Sequence, residues 1–152
     1  MGPAPADAAT SAVVLTINAT VAARATLTLS SAAINFPDAS PDTTPSIAAT
    51  ENPVTVTAKA RTGSASTPTL TVLAGGNLTG AAGSIAISNV TWTAAAAPFI
   101  AGTMNAVTAQ SAATFGAGSG NYASSYSYFL ANSWAYNVGS YTATVTYTLT
   151  AP

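Results

Sequence analysis

The sequence predicts an all-β fold: a single-domain β-sandwich, immunoglobulin-like or jelly-roll-like, of about seven to nine antiparallel strands. Three observations predict it. Apolar residues recur at every second position along most of the chain, the period that sends alternate side chains to opposite faces of a sheet. The alternating runs are short and are separated by Gly, Pro, Asn and Asp, the residues of turns. Helical signal is almost absent: the alanines at 94–97 could open one turn, and Pro98 stops it.

Taken in order, residues 1–10 read as a flexible leader, Met1-Gly2-Pro3-Ala4-Pro5-Ala6-Asp7-Ala8-Ala9-Thr10. The leader carries neither the basic start nor the apolar stretch of a signal peptide, so export is an expectation from composition. The single domain is expected over 11–152. Its first run places Val13, Leu15, Ile17, Ala19 and Val21 on one face, with Val14, Thr16, Asn18 and Thr20 on the other. Residues 11–22 are therefore read as an edge strand or as a strand given to a neighbouring subunit, since charges that normally guard an edge are scarce here. Ala25, Leu27 and Leu29 alternate next, and a proline-stiffened loop follows at 36–45. Val54, Val56, Ala58 and Ala60 then alternate with Thr55, Thr57, Lys59 and Arg61, which projects Lys59 and Arg61 outward. Leu70, Val72 and Ala74 follow Pro68. Ile85 and Ile87 have one parity, Val90 and Trp92 the other, so a β-bulge or face change is expected near Ser88-Asn89. Around Tyr126-Ser127-Tyr128-Phe129-Leu130 both faces carry bulk, as in a buried strand. The clearest pattern is last: Tyr141, Ala143, Val145, Tyr147 and Leu149 against threonines at 142, 144, 146, 148 and 150. Gly75-Gly76-Asn77, Thr62-Gly63-Ser64, Asn137-Val138-Gly139 and the glycine-rich stretch 116–121 supply turns. No fixed repeat is present, which argues against a solenoid.

Composition closes several function classes. The 152 residues include no Cys and no His, and only 5% are charged, for a net charge of -1. A His/Cys zinc site, a thiol nucleophile and a Ser-His-Asp triad are chemically impossible. Three basic residues, Arg24, Lys59 and Arg61, give no footprint for a nucleic-acid backbone. No apolar run reaches the length of a membrane-spanning helix. The surface must be Thr, Ser, Asn and Ala, with little charge repulsion to hold molecules apart, and this favours self-association.

The four acids are Asp7, Asp38, Asp42 and Glu51. Asp38 and Asp42 share one loop, which is poor geometry for a catalytic pair that must flank a bond. The chain is read as non-catalytic, with no cofactor. Asp38, Ser40, Asp42 and Thr44 offer oxygens at alternate positions, as at the start of a calcium loop, but Thr43 stands where Gly is needed and Ala49 where Glu closes the site. Tyr122, Tyr126, Trp134 and Tyr136 form a candidate glycan-stacking cluster; core packing is the competing role of the same aromatics. Thr-x-Thr ladders suit the wet face of strands, and their irregular spacing disfavours ice binding. The sequons at Asn18, Asn77 and Asn89 arise readily in a Thr-rich chain.

The run Gly139-Ser140-Tyr141-Thr142-Ala143-Thr144-Val145-Thr146-Tyr147-Thr148-Leu149-Thr150-Ala151-Pro152 resembles the closing strand of bacterial surface proteins of the WxL type. Tyr147-Thr148-Leu149 stands where that family carries Trp-x-Leu. The layout is also similar to spore-coat-U-like and archaic pilus subunits, secreted β-sandwiches that end in a Thr-rich strand. The resemblance implies a bacterial surface protein. Joined to the composition, it gives the functional expectation: an extracellular or cell-surface structural subunit of a filament or surface layer. Its partner is further copies of the chain, joined by β-strand pairing through Val13, Leu15, Ile17 and Val21. The alternative expectation is a module that binds cell-wall or other polysaccharide.

Overall fold

The computed structural model describes all residues, Met1–Pro152. Eleven strands build the body: β1 (Arg24–Leu29), β2 (Ser46–Ala48), β3 (Val54–Arg61), β4 (Thr69–Ala74), β5 (Leu78–Gly80), β6 (Gly83–Ile85), β7 (Val90–Ala94), β8 (Gly102–Thr103), β9 (Gln110–Ala113), β10 (Gly120–Ala131) and β11 (Val145–Thr150). Every pairing is antiparallel. The larger sheet runs β1-β3-β10-β7-β8, with β2 also on β10; a second runs β11-β4-β9; β5 and β6 form a separate hairpin. The all-β, antiparallel expectation holds. The expected seven to nine strands become eleven in three sheets, because β2, β5, β6 and β8 are pieces of only two or three residues.

β10 is the organising element. Its 12 residues pair with β3 over the first half, with β2 near the end, and with β7 on the opposite edge. That double pairing explains the bulk around Tyr126-Ser127-Tyr128-Phe129-Leu130. Tyr126, Tyr128 and Leu130 enter the core and Phe129 is half-buried on the other face.

The core joins the two larger sheets. Val54, Val56 and Ala58 of β3, with Trp92 of β7, share one cluster with Leu70 and Val72 of β4 and Ala112 of β9. Hydrogen bonds cross between the sheets where polar groups are buried, as burial demands. The Tyr126 hydroxyl donates to the Ala112 carbonyl at 2.5 Å, and the Tyr128 and Tyr147 hydroxyls are 2.8 Å apart. Tyr126 stacks on Tyr147 with centroids 6.0 Å apart. The Trp92 indole N–H donates to the Ile100 carbonyl at 2.8 Å. Gly102 lies so near that ring that a Cβ there would collide with the indole carbons, so only glycine fits. Ile85, Ile87, Val90 and Trp92 are all buried despite their change of parity. The expected bulge is a short 3-10 turn at Ile87–Asn89, which advances the chain enough to swap odd for even.

Residues 1–23 form no strand, and every one of them is exposed. The strand expected over 11–22 is thus not paired within this chain. The terminal strand begins at Val145; ahead of it, Tyr141 and Ala143 keep the inward parity, and Thr142 makes an isolated bridge to Thr79.

Candidate assembly strand and its surroundings

Residues 13–21 present large apolar side chains to solvent: Val13 is 93% exposed, Leu15 81%, Ile17 85% and Val21 70%. Exposed apolar stretches of this size mark contact surfaces. The segment leaves the body at one end of the larger sheet, where Val21, Ala22 and Ala23 adjoin Arg61, Thr62 and Gly63. Folding back onto its own β1 would require reversal across Ala22-Ala23. Two-residue hairpin turns need residues with positive φ, a conformation costly for alanine and adopted by no non-glycine residue of this chain.

Two strand edges of the same molecule lack a hydrogen-bonded neighbour. β11 is the last strand of its sheet, with β4 on one side only, and β1 is the last strand of the larger sheet. The two edges approach each other along a seam. They run in opposite directions. β1 is antiparallel to β3, β11 is antiparallel to β4, and residues 62–68 link β3 to β4 at one end. At that same end the Thr62 hydroxyl donates to the Pro152 carbonyl. Tyr147 and Leu149 of β11 and Leu27 and Leu29 of β1 line the seam as half-buried apolar residues packed against the core.

Charge is distributed unevenly along the sheet. Arg24 pairs with Arg61 in the β1/β3 register, and Lys59 pairs with Thr26 on one side and Asn121 on the other. All three cations of the chain therefore share the outer face at one end, where they border one shallow depression with Ser119 and Gly120. No acidic residue lines it. The Asp38 and Asp42 loop sits past the far end of β10: the Asn132 side-chain amide donates to the Ala39 and Thr44 carbonyls at 2.9 and 3.0 Å. Glu51 lies toward that same end, accepting from the side chain and backbone N–H of Asn35, both at 2.7 Å. Those hydrogen bonds hold its carboxyl below the usual carboxylate range.

The calcium candidates Asp38, Ser40, Asp42 and Thr44 fold as a turn in which the Ser40 carbonyl accepts from the Thr43 and Thr44 amides. Asp42 is engaged by the Trp134 indole N–H at 3.0 Å. No three carboxylates gather anywhere in the chain. The four glycan candidates do not share a face. Tyr126 is wholly buried, which corrects its assignment as a sugar platform: its ring closes the core and its hydroxyl joins the sheets. Tyr122 stacks on Phe115 with centroids 4.5 Å apart, near the opposite end of β10 from Trp134. Tyr136 donates to the Ala131 carbonyl. Trp134 alone stands out, 73% exposed. Sequence reasoning missed the convergence of the three cations. The parity of Lys59 and Arg61 was visible, but only the register brings Arg24 beside them.

No helix is long and apolar enough to cross a membrane. Comparison with protein-family models, with curated proteins and with solved structures finds no match to this chain, so the assignment of a role rests on its own geometry.

Proposed function

We propose that this protein is a non-catalytic structural subunit with a two-layered β-sandwich body. It assembles into an extracellular bacterial filament or surface layer when residues 11–22 of one copy pair along the seam of another. The observation that carries the proposal is the bare, alternating apolar face of Val13, Leu15, Ile17 and Val21. Burying each of these side chains is worth about 1.5–3 kcal/mol. Main-chain hydrogen bonds to an uncovered edge add to this, the mode by which an extended segment extends a sheet. The scarcity of charge and the likeness of residues 139–152 to closing strands of surface proteins support the same reading.

The test is sizing and electron microscopy of the purified full chain across a range of concentrations. Filaments or sheets are expected. Leu15→Lys with Ile17→Lys, and separately removal of residues 1–22, is expected to leave a folded monomer. A wild-type chain that stays monomeric at high concentration defeats the proposal.

A second reading, binding to polysaccharide, draws support from the exposed Trp134 held by Asp42. Retention on insoluble glycans that disappears in Trp134→Ala, in a chain that does not assemble, would favour it.

A further inference from the structure

We propose that the body is electrostatically polar and that this polarity sets the docking of successive copies: the Arg24, Lys59 and Arg61 end of one molecule seats on the Asp38, Asp42 and Trp134 end of the next. The inference rests on the strand-pairing reading and goes beyond it, because it names the second surface and the direction of growth.

The chain has seven charged side chains. The three cations lie at one end of the larger sheet, Asp38, Asp42 and Glu51 lie at or toward the other, and Asp7 is on the exposed leading segment outside the body. The 12 residues of β10 separate them, roughly 35 Å at the usual rise per residue. With so few charges between, neither end is masked by neighbours. Opposed ends attract and like ends repel, an effect that steers encounter and fixes orientation more than it adds affinity. The acidic end also carries Trp134, and arginine with tryptophan is a favoured pairing at the centre of interfaces.

Strand direction selects the same arrangement when the segment pairs with β11. Residues 13–21 leave at the cationic end, next to Arg61. Only Ala22 and Ala23 separate them from β1, so the cationic end must lie close to whichever copy receives the segment. If that copy offers its acidic end, the segment enters with residue 21 at the acidic end and residue 13 toward the cationic end. β11 runs from the acidic end toward the cationic end, where Thr62 holds Pro152. The inserted segment is then antiparallel to β11, as every other pair in the molecule is. The reverse docking would set three cations against three cations and make the new pair with β11 parallel.

The experiment uses three full-length chains: wild type, Arg24→Glu/Arg61→Glu, and Asp38→Lys/Asp42→Lys. All four positions are exposed, and matched thermal melts verify folding. The readout is the lowest concentration that yields sedimenting, electron-microscopically visible assemblies. Each variant alone is expected to need at least about tenfold more protein than wild type, because its ends now repel. An equimolar mixture is expected to recover to within about threefold of wild type, since the altered end of one variant complements the altered end of the other, and their two unaltered ends still match. Added salt is expected to weaken wild-type assembly. Variants that assemble like wild type, or a mixture that stays as impaired as its components, overturn the docking while leaving strand pairing intact. Wild type that never assembles overturns both. Dextran sulfate binding that vanishes in Arg24→Glu/Arg61→Glu while assembly is unchanged would assign the cationic end to an acidic polysaccharide instead, and so also overturns the docking.

Discussion

Residues 13–21 and residues 141–149 carry the same instruction and meet different fates. Both alternate apolar side chains with Thr or other small polar residues, apart from Val14 in the first. In the second, Tyr147 and Leu149 pack against the core and residues 145–149 pair in register with β4. In the first, every apolar side chain points into solvent and no strand forms. Alternation therefore specifies two faces, and says nothing about what covers the apolar one. Cover depends on whether the chain can return. Residues 75–144 give β11 a long path back to β4, whereas Ala22-Ala23 gives the leading segment almost none.

The contrast predicts that damage to the body appears as lost stability at any concentration, while damage to the segment appears only in assembly. Trp92→Ala should give the largest effect, a loss of about 3–5 kcal/mol in chemical unfolding of the assembly-deficient monomer, since it empties the centre of the core and orphans the Ile100 carbonyl. A smaller loss at that position would mean that the body tolerates cavities and that its packing is not what separates the two regions.

Alkaline pH should act next, and only on the body. Burial pushes the phenols of Tyr126, Tyr128 and Tyr147 above their ordinary value of about 10. Unfolding returns them to that value, so above it the unfolded chain sheds protons that the folded chain retains. Stability is then level below about pH 10 and falls as pH rises, by up to about 1.4 kcal/mol per unit for each phenol. Urea unfolding from pH 8 to 11, followed by tyrosinate absorbance, measures this. Flat stability through pH 11 would show that the phenols are not held neutral by the fold.

A leucine pair tests the comparison directly. Leu149→Ala should lower monomer stability by about 1–3 kcal/mol, less than a fully enclosed leucine because its site is half-buried. Leu15→Ala should change it by less than about 0.5 kcal/mol. Equal losses would mean that the segment packs on its own body after all. The smallest effect belongs to Ser124, whose buried Oγ has no hydrogen-bond partner. Ser124→Ala should hold or raise stability by about 1 kcal/mol, measured by the same unfolding curves.

Much of the fold was legible because period 2 is a local property. The inward faces of β3, β4 and β11 follow from parity alone. Three features were not legible, each for a physical reason. The 3-10 turn at Ile87–Asn89 leaves the same parity signature as a bulge. The short strands β2, β5, β6 and β8 are too brief to show any period. The cationic end depends on the β1/β3 register, a long-range property that sets Arg24 against Arg61. Tyr126 and Trp134 show the same limit from the other side. Both are aromatic and both were candidates for a ligand face, yet one closes the core and the other stands in water, because Tyr126 lies inside β10 and Trp134 lies beyond its end.

The departure of the leading segment from one end of the body has a last consequence. In the proposed assembly giver and receiver are different surfaces of one molecule, so a contact between two copies leaves one of each still vacant. Such a pairing runs head to tail, and it grows into an open chain unless the rotation between copies closes a ring. An open chain of these molecules would be a one-way object, with a dangling tail at one tip and an unpaired strand edge at the other, and it would stop only when the supply ran out or some unlike molecule covered one of the two tips.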